Sequence, residues 1–147
     1  MRVIASLAAL WVLTVPCLAE WDVQAFQDRM TDRKEAVATL APKDGTGSVV
    51  VGCMNGRIFP RVSFPARIGV YEIGATYRFD NTPVEMRIAR LSANGRDVWL
   101  WMGAPDPSAA IVERMRKSKR LRVQIGDHFL DYDLAGAEKA LAGIRCR

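Results

Sequence analysis

The sequence predicts a mainly β (α+β) protein. The expected form is an antiparallel β-sandwich or partly open barrel with two short helices, one near 107–117 and one C-terminal near 136–145. Three observations predict it. Most segments alternate apolar and polar residues at period two, and turn residues separate them. Two stretches alone switch to helical period. The third observation is the pair of Asn-Gly steps, Asn55-Gly56 and Asn94-Gly95, the strongest short hairpin signal because tight hairpin turns need positive φ.

The candidate strands are Trp21–Gln24, Ala36–Leu40, Ser48–Cys53, Ile58–Phe64, Ala75–Phe79, Val84–Leu91, Asp97–Met102, Lys119–Ile125 and Phe129–Leu134. Lys43-Asp44-Gly45-Thr46-Gly47 and Gly126-Asp127 supply further turns. Asp106 can cap a helix opening at Pro107, where a missing N–H costs nothing, and Ile111, Val112 and Met115 share its face. A second helix is expected from about Ala137 to Ile144, with Ala137, Ala140, Leu141 and Ile144 on one side.

Two hairpins can be registered on paper. A two-residue loop at Asn94-Gly95 sets Leu91 opposite Val98, Arg90 opposite Trp99, Ala89 opposite Leu100 and Ile88 opposite Trp101. One face then carries Ala89, Leu91, Val98, Leu100 and Met102, and the other Val84, Met86, Ile88, Trp99 and Trp101. Both faces are apolar, so both are expected to be covered. Trp99 and Trp101 could form a stacking platform, with Arg90 adding a cation–π contact. The core reading is preferred, because buried aromatics dominate small β cores.

The Gly126-Asp127 loop sets Val123 opposite Leu130 and Leu121 opposite Tyr132 as an inner face. Arg122 opposite Asp131 and Arg120 opposite Asp133 make a charge ladder outside. That assigns Arg120 and Arg122 to structure.

The 147 residues are 50% hydrophobic and 25% charged, which suits one globular domain. With Gly 11, Pro 7 and Cys 3, collagen, low-complexity and disulfide-dense miniprotein classes are excluded. A single long apolar run excludes a polytopic membrane protein. That run, Val3 to Val15, follows Arg2 and precedes Pro16-Cys17-Leu18-Ala19, the three parts of a secretory signal peptide. Residues 1–19 are therefore expected to be the signal, cleaved after Ala19, and 20–147 a single exported β-rich domain in the periplasm or secreted. A lipoprotein through Cys17 is disfavoured, because Pro16 stands where a small residue is wanted.

Removing 1–19 leaves Cys53 and Cys146, and an even count in an oxidising compartment reads as a disulfide. The bridge would close a loop of about 93 residues and stabilise by roughly 4–5 kcal/mol. The 128 remaining residues hold 20 basic and 16 acidic side chains, a net charge of +4. Residues 113–122 alone contribute six basic residues against one acid, so the excess is local. With Arg120 and Arg122 paired, Arg114, Arg116, Lys117 and Lys119 remain at the end of the first helix. They either complement its dipole or form a binding patch for an anionic partner.

Chemistry is sparse. The only histidine, His128, points inward beside a turn, and no nucleophile elbow, Walker loop, Cys-x-x-Cys or dinucleotide glycine pattern occurs. No catalytic residue, metal or cofactor is expected. The alternative class is an envelope hydrolase acting on glycan, whose paired carboxylates could converge from distant positions. In Tyr77-Arg78-Phe79-Asp80, alternation places the two rings on one face. Arg78 and Asp80 lie on the other, as an outer ion pair or a turn cap ahead of Asn81-Thr82-Pro83.

The order Trp21-x-Val23, Asp32, Cys53, Tyr77-Arg78-Phe79-Asp80 with Pro83, Tyr132-Asp133-Leu134-Ala135-Gly136, Ala140-Leu141 and Cys146 resembles the VasI-type family of small exported bacterial proteins. Some of these are encoded with type VI secretion systems. The likeness spans about 21–146. Gly52 stands where a basic residue is more usual, and Tyr132 where Phe is usual. The resemblance implies a periplasmic β-rich domain with a Cys53–Cys146 bridge and transfers no catalytic residue. The expected function is a non-catalytic accessory or binding module of the envelope, associated with a secretion system or prophage. Its expected partner is an envelope or secretion-machinery protein or an anionic polymer. No specific nucleic acid and no transmembrane span in the mature form are expected.

Overall fold

The structure is a computed structural model describing residues 20–27, 29, 30, 32–44, 46–69 and 71–146. The expected signal over 1–19, with Cys17, lies outside the described residues. The strands are β1 (Trp21–Gln27), β2 (Lys34–Leu40), β3 (Ser48–Met54), β4 (Arg57–Ser63), β5 (Glu72–Phe79), β6 (Glu85–Leu91), β7 (Asp97–Trp99), β8 (Arg120–Ile125) and β9 (His128–Asp133). The helices are α1 (Ser108–Lys117), between β7 and β8, and α2 (Ala137–Ala142) at the end.

Among the described residues the strands form one antiparallel sheet in the order β1-β2-β3-β4-β7-β6-β5-β8-β9. The sheet curls until the β2–β3 loop meets β9. The Lys43 N–H donates to the Asp131 carbonyl at 3.3 Å, and the Tyr132 hydroxyl donates to the Gly47 carbonyl at 3.3 Å. This is the mainly β architecture expected from alternation, in its partly open barrel form. Tyr132 uses its hydroxyl as that clasp, and burial pushes its ionisation upward, assisted by the Asp44 charge.

Alternation decides which side is filled. Val49 and Val51, Ala75, Tyr77 and Phe79, Ala89 and Leu91, Leu121 and Val123, and Leu130 and Tyr132 all point inward and are buried. The inner space is completed by the helices. α1 places Ile111, Val112 and Met115 on one buried face, and α2 adds Ala137, Ala140 and Leu141. Helix α1 begins one residue later than the sequence suggests, with Pro107 in the cap position. The Asp106 carboxylate still accepts the Ser108 N–H at 2.9 Å. α2 ends earlier than expected, at Ala142, although Ile144 is buried as predicted. The Cys53–Cys146 disulfide, with Cα atoms 5.5 Å apart, ties β3 to the segment after α2. Gly52, beside it, is close-packed: a Cβ there would lie 3.1 Å from Val37 Cγ2.

Two sequence expectations need correction. The β6–β7 register is as expected at Arg90↔Trp99 and Leu91↔Val98, but β7 stops at Trp99. Beyond it the chain leaves the sheet, so the Ala89–Leu100 and Ile88–Trp101 pairs do not form within the ladder. Leu100 and Trp101 are both 1% exposed. The turn is also wider than two residues, because Ser92 N–H bonds the Asp97 carbonyl and Gly95 N–H the Ser92 carbonyl. Gly95 takes φ +66°, and a Cβ there would meet Arg67 Cγ at 2.6 Å. The second correction concerns the outer face of β6. Val84, Met86 and Ile88 are 61%, 76% and 74% exposed, so nothing covers it among the described residues. Both helices pack on the inner side, which leaves no layer for the outer one.

Candidate functional site

The basic segment is where the sequence concentrates charge, and the structure divides it three ways. α1 runs to Lys117 and ends because Ser118 turns extended to feed β8. Arg114 points inward along this helix. Its guanidinium lies 4.4 Å over the Phe79 ring, and its Nη1 donates to Glu85 Oε1 at 2.6 Å. The Tyr77 hydroxyl donates to the other oxygen, Oε2, at 2.7 Å. Tyr77 also packs edge-on against Trp101 and Phe79, with centroids 5.7 Å and 6.2 Å away. Burial pushes the Glu85 carboxyl up, but the hydrogen bonds from Tyr77 and Arg114, with the Arg114 and Arg87 charges, outweigh it and hold it below the usual range. Burial and the bond to Glu85 push the Tyr77 phenol up. This network locks α1 to the β5–β6 hairpin.

Arg116 and Lys117 share Glu113 at 3.1 Å and 2.9 Å, and the Lys117 hydrogen bond holds that carboxyl low. Lys119 has an exposed side chain with no carboxylate at ion-pair distance among the described residues. Of the expected patch, then, Arg114 is given to the fold, Lys117 and Lys119 are exposed, and Arg116 is half-buried, with its Nε buried and unpartnered.

The β8–β9 register is the one expected: Arg120↔Asp133, Arg122↔Asp131, Val123↔Leu130. The ion pairs are not the expected ones. Arg120 reaches diagonally to Asp131, its Nε at 2.7 Å and Nη2 on the second oxygen, because twist brings that diagonal neighbour into reach of a long side chain. The Arg120 hydrogen bond holds Asp131 below its ordinary value. Asp133 instead accepts the Ala135 N–H at 3.0 Å, and Arg122 donates Nη2 to the Asp80 carbonyl at 2.7 Å. Arg122 Nε is buried without a partner.

In the Tyr77–Asp80 block the turn is closed by Thr82, whose N–H and hydroxyl donate to the Phe79 carbonyl, and Asp80 caps another segment. Asp80, at φ +46°, accepts the Lys119 and Arg120 N–H groups at 3.0 Å and 2.9 Å, so it fixes where β8 begins. Its carboxylate does not reach Arg78. Trp99 and Trp101 do not form a platform: Trp99 is half-buried and edge-on to Phe59 at 5.8 Å, Trp101 is in the core, and Arg90 pairs with Glu72. His128 is half-buried, 5.1 Å from the Phe64 ring. Among the described residues no three His, Cys, Asp or Glu side chains are grouped to hold a metal. No described helix is long and apolar enough to cross a membrane.

Sequence reasoning missed Glu85 as the partner of Arg114, and it missed that β5 pairs with β8, which sets Arg78 opposite Arg122. No turn joins those strands, so no loop length announces their register.

No family model, curated protein or solved structure matches the chain.

Proposed function

We propose that the protein is a non-catalytic accessory module of the bacterial envelope, exported by cleavage after Ala19. It presents a basic surface at the end of α1 to an acidic protein or anionic polymer. The observation that carries this reading is that four cations, Arg87, Arg114, Arg116 and Lys117, share two carboxylates, Glu85 and Glu113, while Lys119 beside them meets no carboxylate among the described residues. The excess stands on a rigid helix end held by the Glu85 network, and rigid presentation lowers the entropy cost of binding. An exported location is supported by the disulfide. The resemblance to VasI-type proteins supports a secretion-associated partner. The carboxylates also favour a non-catalytic role, since Asp80, Glu85, Asp131 and Asp133 are each occupied by backbone or basic groups.

The test is capture. Full-length protein expressed in its native envelope is cross-linked and its partners identified by mass spectrometry, alongside R116E/K117E/K119E. Arg114 is left alone because it supports the fold. A partner enriched by the native protein and lost from the variant supports the module and locates its surface. Equal capture by both overturns the assignment to this helix end.

A further inference from the structure

Four strands, β6, β5, β8 and β9, turn one face outward, and their registers align its side chains in rows. Met86 lies beside Thr76, Thr76 beside Gln124, and Gln124 beside Phe129. Next to that row, Ile88 lies beside Gly74, where a Cβ would find nothing within 4 Å. Large apolar side chains thus flank a lower floor of Gly74, Thr76 and Gln124, with Met86 and Ile88 at one margin and Phe129, 57% exposed, at the other. On the other side of the row Arg78 opposes Arg122. Like charges directly opposite across strands destabilise a sheet, so this pair costs the fold something.

Arg78 meets no carboxylate among the described residues, and Arg122 only shares the charge of Asp131, which stands opposite it but bonds Arg120. Asp80 is taken by the backbone of β8, and Asp131 by Arg120. Arg78 has no partner among the described residues, and Arg122 keeps a buried, unpartnered Nε. The two open onto a shallow concavity of about 330 Å³ walled by Val84 and Phe129.

We infer that this face docks on an anionic phospholipid bilayer, with Arg78 and Arg122 taking phosphate headgroups while Met86, Ile88 and Phe129 enter the acyl boundary. A protein partner would have to desolvate both guanidiniums against matching acids, and a buried pair of that kind gains little. At a bilayer the phosphates stay hydrated, and arginine stems lie along apolar surface with their heads at the interface. Exposed apolar side chains bordered by unpaired cations are the combination such an interface takes up. This site lies on the opposite face of β5 from Phe79 and Arg114, so it is separate from the α1 surface.

The experiment is co-sedimentation of the oxidised protein, purified from the envelope of cells expressing the full chain. Phosphatidylcholine vesicles are compared with vesicles enriched in phosphatidylglycerol. The native protein is expected to bind the second kind and not the first. R78Q/R122Q should bind about 30-fold more weakly, and M86S/I88S should lose binding as well. Arg122 also bonds Asp80, so R78Q alone, which removes no bond, provides the check on folding, with an expected loss of about fivefold. K117E/K119E should leave vesicle binding within about twofold, since that surface faces elsewhere. With vesicles, these outcomes would overturn the inference: no binding to either vesicle, binding indifferent to R78Q and M86S/I88S, loss through the arginines alone, or loss following the α1 lysines. The last would leave the proposed module standing. Binding of labelled polyglutamate in place of vesicles would overturn it too, in favour of an acidic protein.

Discussion

On the inward side of β5, Tyr77 and Phe79 are 2% and 1% exposed, and the guanidinium that reaches them, Arg114, ends on Glu85 2.6 Å away. On the outward side of the same strand, Arg78 faces Arg122 and meets no carboxylate among the described residues. The contrast follows from desolvation. A charge brought against a core must be paired, because water no longer solvates it fully. A charge left on the outer face has no such obligation, so Arg78 can remain uncommitted. The inner side of β5 therefore tells how the fold holds, and the outer side is where a ligand would find unspent donors.

The largest change should come from breaking the inner side. Phe79→Ala removes a buried ring that also carries the Arg114 contact, and should destabilise by about 3–5 kcal/mol in urea unfolding. Truncation of Met86 on the outer face, 76% exposed, should move the same midpoint by no more than about 0.5 kcal/mol. Equal losses from the two would mean that the outer face is covered after all.

Glu85→Gln is the intermediate step. It keeps an acceptor for Tyr77 but removes the charge that Arg114 uses, and should cost roughly 1–2 kcal/mol at neutral pH, the low end because the pair is partly solvated. The sign with pH is fixed. Glu85 is held below its ordinary value in the folded state, so the unfolded chain takes up its proton first as pH falls. Its contribution is complete above the unfolded carboxyl range and is lost as pH drops through the folded value. Stability of the native protein and of Glu85→Gln should therefore converge in acid. A gap that stays constant from neutral pH down would show that Glu85 does not act through its charge.

The sequence made this contrast only half legible. The β8–β9 register and the Leu91–Val98 pairing could be read because a turn residue pins each hairpin, and a hairpin's register follows from its loop. The Cys53–Cys146 bridge followed from parity of the cysteines. Alternation also separated Tyr77 and Phe79 from Arg78. What could not be read was the neighbour across a long connection. β5 and β8 are joined through β6, β7 and α1, so Arg78 opposite Arg122 depends on how the whole sheet closes. Coverage of the outer face was misjudged for a related reason. The apolar pattern of Val84, Met86 and Ile88 states a preference for burial, but both helices are used up inside the curl.

The smallest effect is the most discriminating one. Arg78→Gln removes a cation that has no carboxylate partner and relieves repulsion with Arg122 one strand away. Most surface substitutions leave stability unchanged or slightly lower. This one should raise it by a few tenths of a kcal/mol, the range of a cross-strand pair. Salt gives the sign independently. The gain should be largest at low ionic strength and shrink as added salt screens the native pair over a Debye length of roughly 10 Å at 0.1 M. The measurement is paired thermal unfolding of native and variant protein across a salt series. A variant less stable than the native protein at every salt would mean that Arg78 has a structural task. Stabilisation confined to low salt would show that the native chain keeps an electrostatic cost on this face, and a bound phosphate would remove that cost.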